Sequence, residues 1–350
     1  MKLKNSSEKI LTSVKTMGFK YIELPSVIEA NHIVKRSGEN FRKFIFSFSD
    51  QNGNELCLRP DLTIVSCLRY LENKFKGKEK IFYSGQAYRK SQNKKDSIIR
   101  NQIGFEIIGS QNEKNDDKEI INTSLKSLKN LKYSSGTLTL GNVEIFNTLI
   151  SKLDIPKRWK LRLSRHFWRE EYFNDLLKRL ETNSDVDPTI VEIDKKRYFK
   201  MLKENKSSII AGRSIEEILS RFEKKIKDPR RPSKGKNVSK IIKEFLKIKC
   251  PINKAAGELN KFFKKYKINL VVDQKYFPIS NKKVSKLNVV FSTSFGRQLE
   301  YYTGMVFKID IKLKNKVTNI YNGGRYDHLI SDLGSTKEIP AVGAAINLNN

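Results

Sequence analysis

Helical spacing and strict alternation of apolar positions trade places along this chain, and the exchanges mark out its elements. Ile10, Leu11, Val14 and Met17 fall on one face of a helix that stops at Gly18. Extended YIELP follows, and FIFSFSD and ELCLRP, joined by QNGN, predict two strands and a turn. A helix is expected from Asp61 through IVSCLRYLENKF, with Ile64, Leu68, Leu71 and Phe75 on one side. Two strands, KIFYSGQAYRK and NQIGFEIIGS, flank the polar loop SQNKKDSIIR, and GTLTLGNVEIFNTLI reads as strand, glycine turn and helix.

From residue 153 the pattern turns helical and charged, as in WKLRLSRHFWREEYFNDLLKRL, VSKIIKEFLKI and AAGELNKFFKKY, with DPRRPSKGKN as the clearest linker. Strands resume at INLVVD, KLNVVFS, LEYYTGMVFKIDIK and VTNIY, and a short helix after GGRYD precedes a last strand in IPAVGAAINLNN. No internal repeat interrupts this order. The simplest assembly is an α+β fold. Residues 1–152 and 267–350 share one antiparallel sheet flanked by helices, and 153–266 form an all-helical insertion.

Composition narrows the class. With 350 residues, 20 Phe and 13 Tyr, the chain has the means to build cores and does not read as disordered. No run of about 18 apolar residues is present, which excludes a membrane span, and the N-terminus lacks the pattern of a signal peptide. Cys57, Cys67 and Cys250 lack metal-ligand spacing and read as free thiols in a reducing cytoplasm. The net charge is +31, and residues 221–287 hold 21 Lys and Arg against 5 Asp and Glu. That reads as a solvated basic face of an Asn-, Ile- and Lys-rich chain, with a polyanion-binding surface as the alternative.

Candidate chemistry follows from alternation. Gln102, Gly104 and Glu106 share one face of their strand, opposite Ile103, Phe105 and Ile107, which leaves two polar side chains about 13 Å apart around a glycine hollow. In LEYYTGMVFKIDIK the same device puts Glu300, Tyr302, Gly304 and Val306 on one face. Side by side, such strands make either a pocket floor or an ordinary solvated face. LRPDLT places Arg59, Asp61 and Thr63 at a strand-to-helix junction, where Asp61 caps the helix or reaches a ligand amine. GGRYD places Arg325, Tyr326 and Asp327 at another helix start, behind two glycines suited to a tight turn. Arg89 is either a surface cation or an anion clamp. His32, His166 and His328 form no metal or triad pattern, and no G-x-S-x-G or G-x-x-x-x-G-K-[ST] occurs.

Taken in order, LRPD-x-T, YSGQAYR, NQIGFEIIG, a helical insertion, RQLEYYTG, GGRYD and PAVG resemble the catalytic core of class II histidyl-tRNA synthetases over residues 8–145 and 288–347. The histidine signature of those enzymes reads R-G-L-D-Y-Y, and here Arg297-Gln298-Leu299-Glu300-Tyr301-Tyr302 stands in its place. The resemblance implies a class II synthetase-like fold and a pocket for free L-histidine. It puts Asp61, Thr63 and Gln102 near the amine and Glu106 at the imidazole or amine end. Arg297 would meet the carboxylate, Tyr302 and Tyr326 would close the ring site, Tyr301 would be a further histidine-binding residue, and Arg89 is a possible anion contact.

The departures imply a different task. The second class II motif has Ser91 where a glutamate reads adenine, and Ile98 and Ile99 stand where polar residues are expected. The third motif's G-x-E-R clamp corresponds to Asn347-Leu348-Asn349-Asn350, where the sequence stops, so that clamp and the anticodon-binding domain are both expected to be missing. A kept amino-acid pocket without activating machinery resembles the regulatory-subunit family of ATP phosphoribosyltransferase. That likeness implies a non-catalytic, cytoplasmic protein with no cofactor and no metal, in the first step of histidine biosynthesis. Its partner would be the short-form catalytic subunit, in a hetero-octamer that transmits inhibition by histidine, and it would self-associate as a synthetase-like dimer. tRNA is not an expected partner. The alternatives are a degenerate or truncated histidyl-tRNA synthetase and an RNA-binding paralogue.

Overall fold

The computed structural model describes residues 7–37, 39–73, 77–90, 97–129, 131, 133–182, 196–197, 199–200, 204, 209–210, 213–226, 232–296, 301–313 and 316–348. They fall into two compact units, residues 1–144, 249–259 and 272–350 in one, and 145–248 and 260–271 in the other.

The first unit contains helices α1 (Ser7–Lys15), α2 (Ala30–Ser37), α3 (Leu62–Glu72) and α4 (Glu113–Leu128). Its early strands are β1 (Lys20–Tyr21), β2 (Val27–Glu29), β3 (Ser47–Ser49), β4 (Glu55–Leu58), β5 (Glu79–Tyr88), β6 (Ile99–Ile108) and β7 (Gly136–Asn142). After the second unit's two-residue strands β8 (Ile209–Ile210) and β9 (Arg213–Ser214) come β10 (Lys249–Pro251), β11 (Lys283–Val284), β12 (Leu287–Ser292), β13 (Met305–Leu313), β14 (Lys316–Arg325) and β15 (Ala341–Asn347).

The main sheet has ten strands, in the order β1-β5-β6-β15-β14-β13-β7-β12-β10 with β11 against β12. Pairing is antiparallel except for β1 with β5 and β7 with β12. One face is apolar because alternation makes it so: Ile103, Phe105 and Ile107 are buried. Phe105 meets Phe19 at 5.6 Å and Tyr321 at 6.1 Å, both edge-on. The Tyr321 hydroxyl finds a partner in Ser127 of α4 at 2.6 Å, so this buried phenol is satisfied. A second apolar cluster joins α2, α3, β4 and the other face of β5, with Ile33, Cys57, Val65, Cys67, Ile81 and Ile108 buried. β2, β4 and β3 form a small antiparallel sheet of their own.

Several elements differ from the sequence expectation. FIFSFSD yields only the three residues of β3, and INLVVD is not a strand, while QNGN does turn, with Gly53 at φ 79°. Gly141 is no turn: it lies within β7, and a side chain there would strike the Phe295 carbonyl at 2.4 Å. Within the span 153–266, β10 leaves the helical pattern to pair with β12 in the main sheet.

The second unit is mostly helical among the described residues, with α5 (Val143–Lys152) leading into it, then α6 (Lys157–Arg165), α7 (Glu170–Thr182) and helices at Ile215–Ile226 and Pro232–Phe245. Its core is aromatic: the Phe146 and Phe167 rings stack at 3.8 Å, and Phe173 closes on both edge-on. Glu181 ties α7 to residues 232–245 by accepting from Ser239 at 2.6 Å and pairing with Lys243.

Candidate functional site

A cavity of about 360 Å³ opens on the polar face of the main sheet, within the size range of small-molecule sites. Its floor is β6, β15 and β14, and its walls are the α3 N-terminus, Tyr83 of β5 and the segment before β13.

Glu106 is the buried carboxyl of this cavity, only 1% exposed. Alternation places it with Gln102 on the floor, and antiparallel pairing sets it opposite Gly343 of β15. The carboxylate lies over that glycine, because a Cβ at 343 would sit 1.3 Å from Glu106 Oε2. Three hydroxyls donate to it: Tyr83 to Oε1 at 2.5 Å, Thr63 to Oε1 at 3.0 Å and Tyr326 to Oε2 at 2.6 Å. Burial pushes its pKa up to about 7, against the pull of these donors and with help from the Asp61 charge. Burial, followed by the Glu106 charge, keeps the Tyr83 and Tyr326 phenols protonated as donors.

Asp61 is arranged differently. It caps α3 by accepting the Ile64 amide at 3.1 Å, and its other oxygen pairs with Arg89 at 3.2 Å. Arg89 also donates to the Pro60 carbonyl at 2.7 Å. The cap reading of Asp61 therefore holds, and the residue also lines the cavity. An Asp61→Ala variant should unfold at lower denaturant, by about 1 kcal/mol for the lost cap, which equilibrium urea unfolding measures directly. Arg59 is structural: it ties the Gln86 carbonyl at 2.8 Å to those of Leu24 and Pro25.

The aromatic wall is a cluster of tyrosines. Tyr301 meets Tyr302 at 5.0 Å and Tyr326 at 5.8 Å, both edge-on. These two residues precede β13 instead of lying in it, so the expected alternation from Glu300 does not apply: the strand begins at Met305. GGRYD also differs from its expected turn and helix start. Gly323 and Gly324 lie in β14, where their lack of a side chain admits Phe307 and Tyr302. The helix begins only at Leu329. Arg325 faces away from the cavity lining into an ion network, bonding Asp117 at 2.6 Å, Asp327 at 3.0 Å and the Glu113 carbonyl at 3.0 Å.

Of the residues singled out in the sequence, Asp61, Thr63, Arg89, Gln102, Glu106, Tyr301, Tyr302 and Tyr326 all line the cavity. Arg297, Ser91 and Glu300 lie outside the described residues, as do 227–231 of the basic segment. The glycine hollow at Gly104 is filled by the Tyr83 ring, which a Cβ there would meet at 2.4 Å. Residues that sequence reasoning missed include Tyr83, Arg100, Asn319, Asn322 and Asn347. Tyr83 enters through its register, directly opposite Gly104, which alternation within one strand does not reveal. Among the described residues no cluster of three or more His, Cys, Asp or Glu is placed to hold a metal, and no helix is long and apolar enough to cross a membrane.

Known proteins bear on this geometry. The family model described as histidyl-tRNA synthetase matches residues 1–227 and 231–350. A Brucella anthropi protein named ATP phosphoribosyltransferase regulatory subunit is 27% identical over 347 residues, covering 94% of this chain and 91% of its own. The crystal structure of a Bacillus halodurans ATP phosphoribosyltransferase regulatory subunit/histidyl-tRNA synthetase aligns with a TM-score of 0.59 at 20% identity, over 99% of this chain and 77% of that one. A chain of an ATP phosphoribosyltransferase complex from Thermotoga maritima aligns with a TM-score of 0.51 at 16% identity, over 99% and 97%. At these identities the two structures speak to the fold, which is that of class II histidyl-tRNA synthetases.

Proposed function

Because this chain belongs to the histidyl-tRNA synthetase family, we propose that it keeps that family's amino-acid pocket and serves as the regulatory subunit of ATP phosphoribosyltransferase. The observation that carries the reading is the end-to-end likeness to proteins of that name, over 94% of the chain. It is non-catalytic by itself, is required by the short-form catalytic subunit, and takes part in histidine feedback in the first step of histidine biosynthesis. In the finer version of this reading it dimerises through its synthetase-like core, joins a cytoplasmic hetero-octamer, and binds L-histidine in the cavity.

The cavity supports that ligand. A histidine zwitterion needs an acceptor for its ammonium, a donor for its carboxylate and a partner for a ring nitrogen. Asp61, Thr63 and Gln102 suit the first, Arg297 is assigned the second, and Glu106 stands at the ring or amine end beside Tyr301, Tyr302 and Tyr326. Arg89 is already engaged by Asp61, which weakens any grip on a nucleotide phosphate.

The test is to mix the chain with a short-form catalytic subunit and follow phosphoribosyl-ATP formation with and without histidine. Stimulation that histidine suppresses is the expected result. No stimulation, or histidine-dependent ATP–pyrophosphate exchange by the chain alone, would overturn the reading. Tyr302→Ala, which opens the ring wall, should raise the histidine concentration for half-inhibition by about tenfold, the loss of roughly one aromatic contact.

A further inference from the structure

The two carboxylates of the cavity are not electrically equivalent. Asp61 is matched by Arg89, whereas every described partner of Glu106 is a neutral hydroxyl. The titratable and charged groups around Glu106 can be taken element by element. β5 contributes Tyr83, α3 and its cap contribute Asp61 and Cys67, the segment before β13 contributes Tyr301 and Tyr302, and Tyr326 follows β14. β15 offers Gly343 and no charge, and the cavity's described cations are Arg89 and Arg100. A ligand that seals this end closes off solvent from a carboxyl that no described cation neutralises. Net charge in such a place is costly unless it is matched.

Tyr301, Tyr302 and Tyr326, packed edge to face on one another, make the Glu106 end the aromatic one, and the Asp61–Arg89 end is the polar one. Resting on the reading that the ligand is histidine, we propose that Glu106 and the ligand's basic ring hold one titrating proton between them, leaving the bound pair neutral. A protonated ring against an ionised Glu106, or a neutral ring against a protonated one, satisfies this equally. The proton count is the same in both.

That count fixes a pH profile. Free Glu106 titrates near neutrality, and a free imidazole near pH 6.5. Below about pH 6 both arrive protonated, so binding must release a proton. Above about pH 7.5 both arrive without one, so binding must take one up. Affinity is therefore greatest near pH 7 and falls on both sides, approaching tenfold per pH unit.

The experiment is titration calorimetry of the full chain with L-histidine from pH 5.5 to 8.5, in two buffers of different ionisation enthalpy. The expected result is a bell-shaped affinity, at least tenfold weaker at pH 8.5 than at pH 7, with nearly one proton released at the acid end and nearly one taken up at the alkaline end. A histidine analogue with a 1,2,4-triazole ring, too weakly basic to protonate in this range, should lose the acid limb and keep the alkaline one. In Glu106→Gln, checked for folding by circular dichroism, the alkaline limb should vanish. An affinity that rises through pH 7 and stays high would place the ammonium at Glu106 and overturn the proposal, as would a flat profile without proton exchange. In both of those outcomes the histidine reading survives. An absence of histidine binding at every pH would overturn both.

Discussion

Arg325→Ala is expected to destabilise the sheet-bearing unit by about 3 kcal/mol, because it takes a buried cation away from two half-buried carboxylates instead of merely deleting a bond. The guanidinium is 5% exposed and holds three groups together: Asp117 and the Glu113 carbonyl on α4, and Asp327 beyond β14. Asp327 in turn accepts the Ala341 amide at 2.9 Å and so fixes the start of β15. Without Arg325, Asp117 keeps the burial that already lifts it to about 6 and loses the cation opposing that rise. The deficit should therefore shrink as pH is lowered to 5, where Asp117 takes a proton. Asp117→Asn in the Arg325→Ala background should recover part of the loss, a coupling that urea unfolding of the four-member cycle measures. Additive losses at all pH values would show that the network does not act as a unit. Tyr326 sits between Arg325 and Asp327 in sequence, so the same variant should also loosen one donor to Glu106.

The alternation in NQIGFEIIG was enough to place Gln102 and Glu106 on one face, because a strand's period of two admits only two choices and Phe105 decides between them. Helix α3 and its Asp61 cap were legible for a similar local reason: a short acceptor side chain stands immediately before an apolar periodic run. What alternation does not carry is what comes to lie across the sheet. The Gly104 hollow looked like room for a ligand, but register sets Tyr83 opposite it, and the ring takes the space. The two glycines of GGRYD looked like a turn, although a glycine serves equally where side chains from neighbouring strands must pass close, which is their use in β14. Lys249–Pro251 gave no signal at all: three residues are too few for a period, and their strand exists only because β12 offers an edge.

Glu106→Gln is expected to make the ligand-free chain more stable at pH 8, and the sign follows from proton binding. The folded-state pKa of Glu106, about 7, lies above the ordinary 4.5. Between those two values the folded chain holds a proton that the unfolded chain has lost. Stability from this group is therefore present at low pH and declines as pH rises through 7, by about 3 kcal/mol in all. Glutamine keeps the shape and carries no charge, and the hydroxyls of Tyr83, Tyr326 and Thr63 are able to rotate to serve as acceptors for its amide. The difference in unfolding free energy between variant and parent should thus be small at pH 5 and grow to about 2–3 kcal/mol in the variant's favour at pH 8, read by urea unfolding at four pH values. A difference that stays constant, or one that favours the parent at pH 8, would mean that the ionised carboxylate is not held at a cost. A protein that keeps such a group where an amide would serve the fold better is holding it for something the fold does not need. On the proposed reading that something is the ligand's ring, which shares one proton with a buried carboxyl that no described cation satisfies.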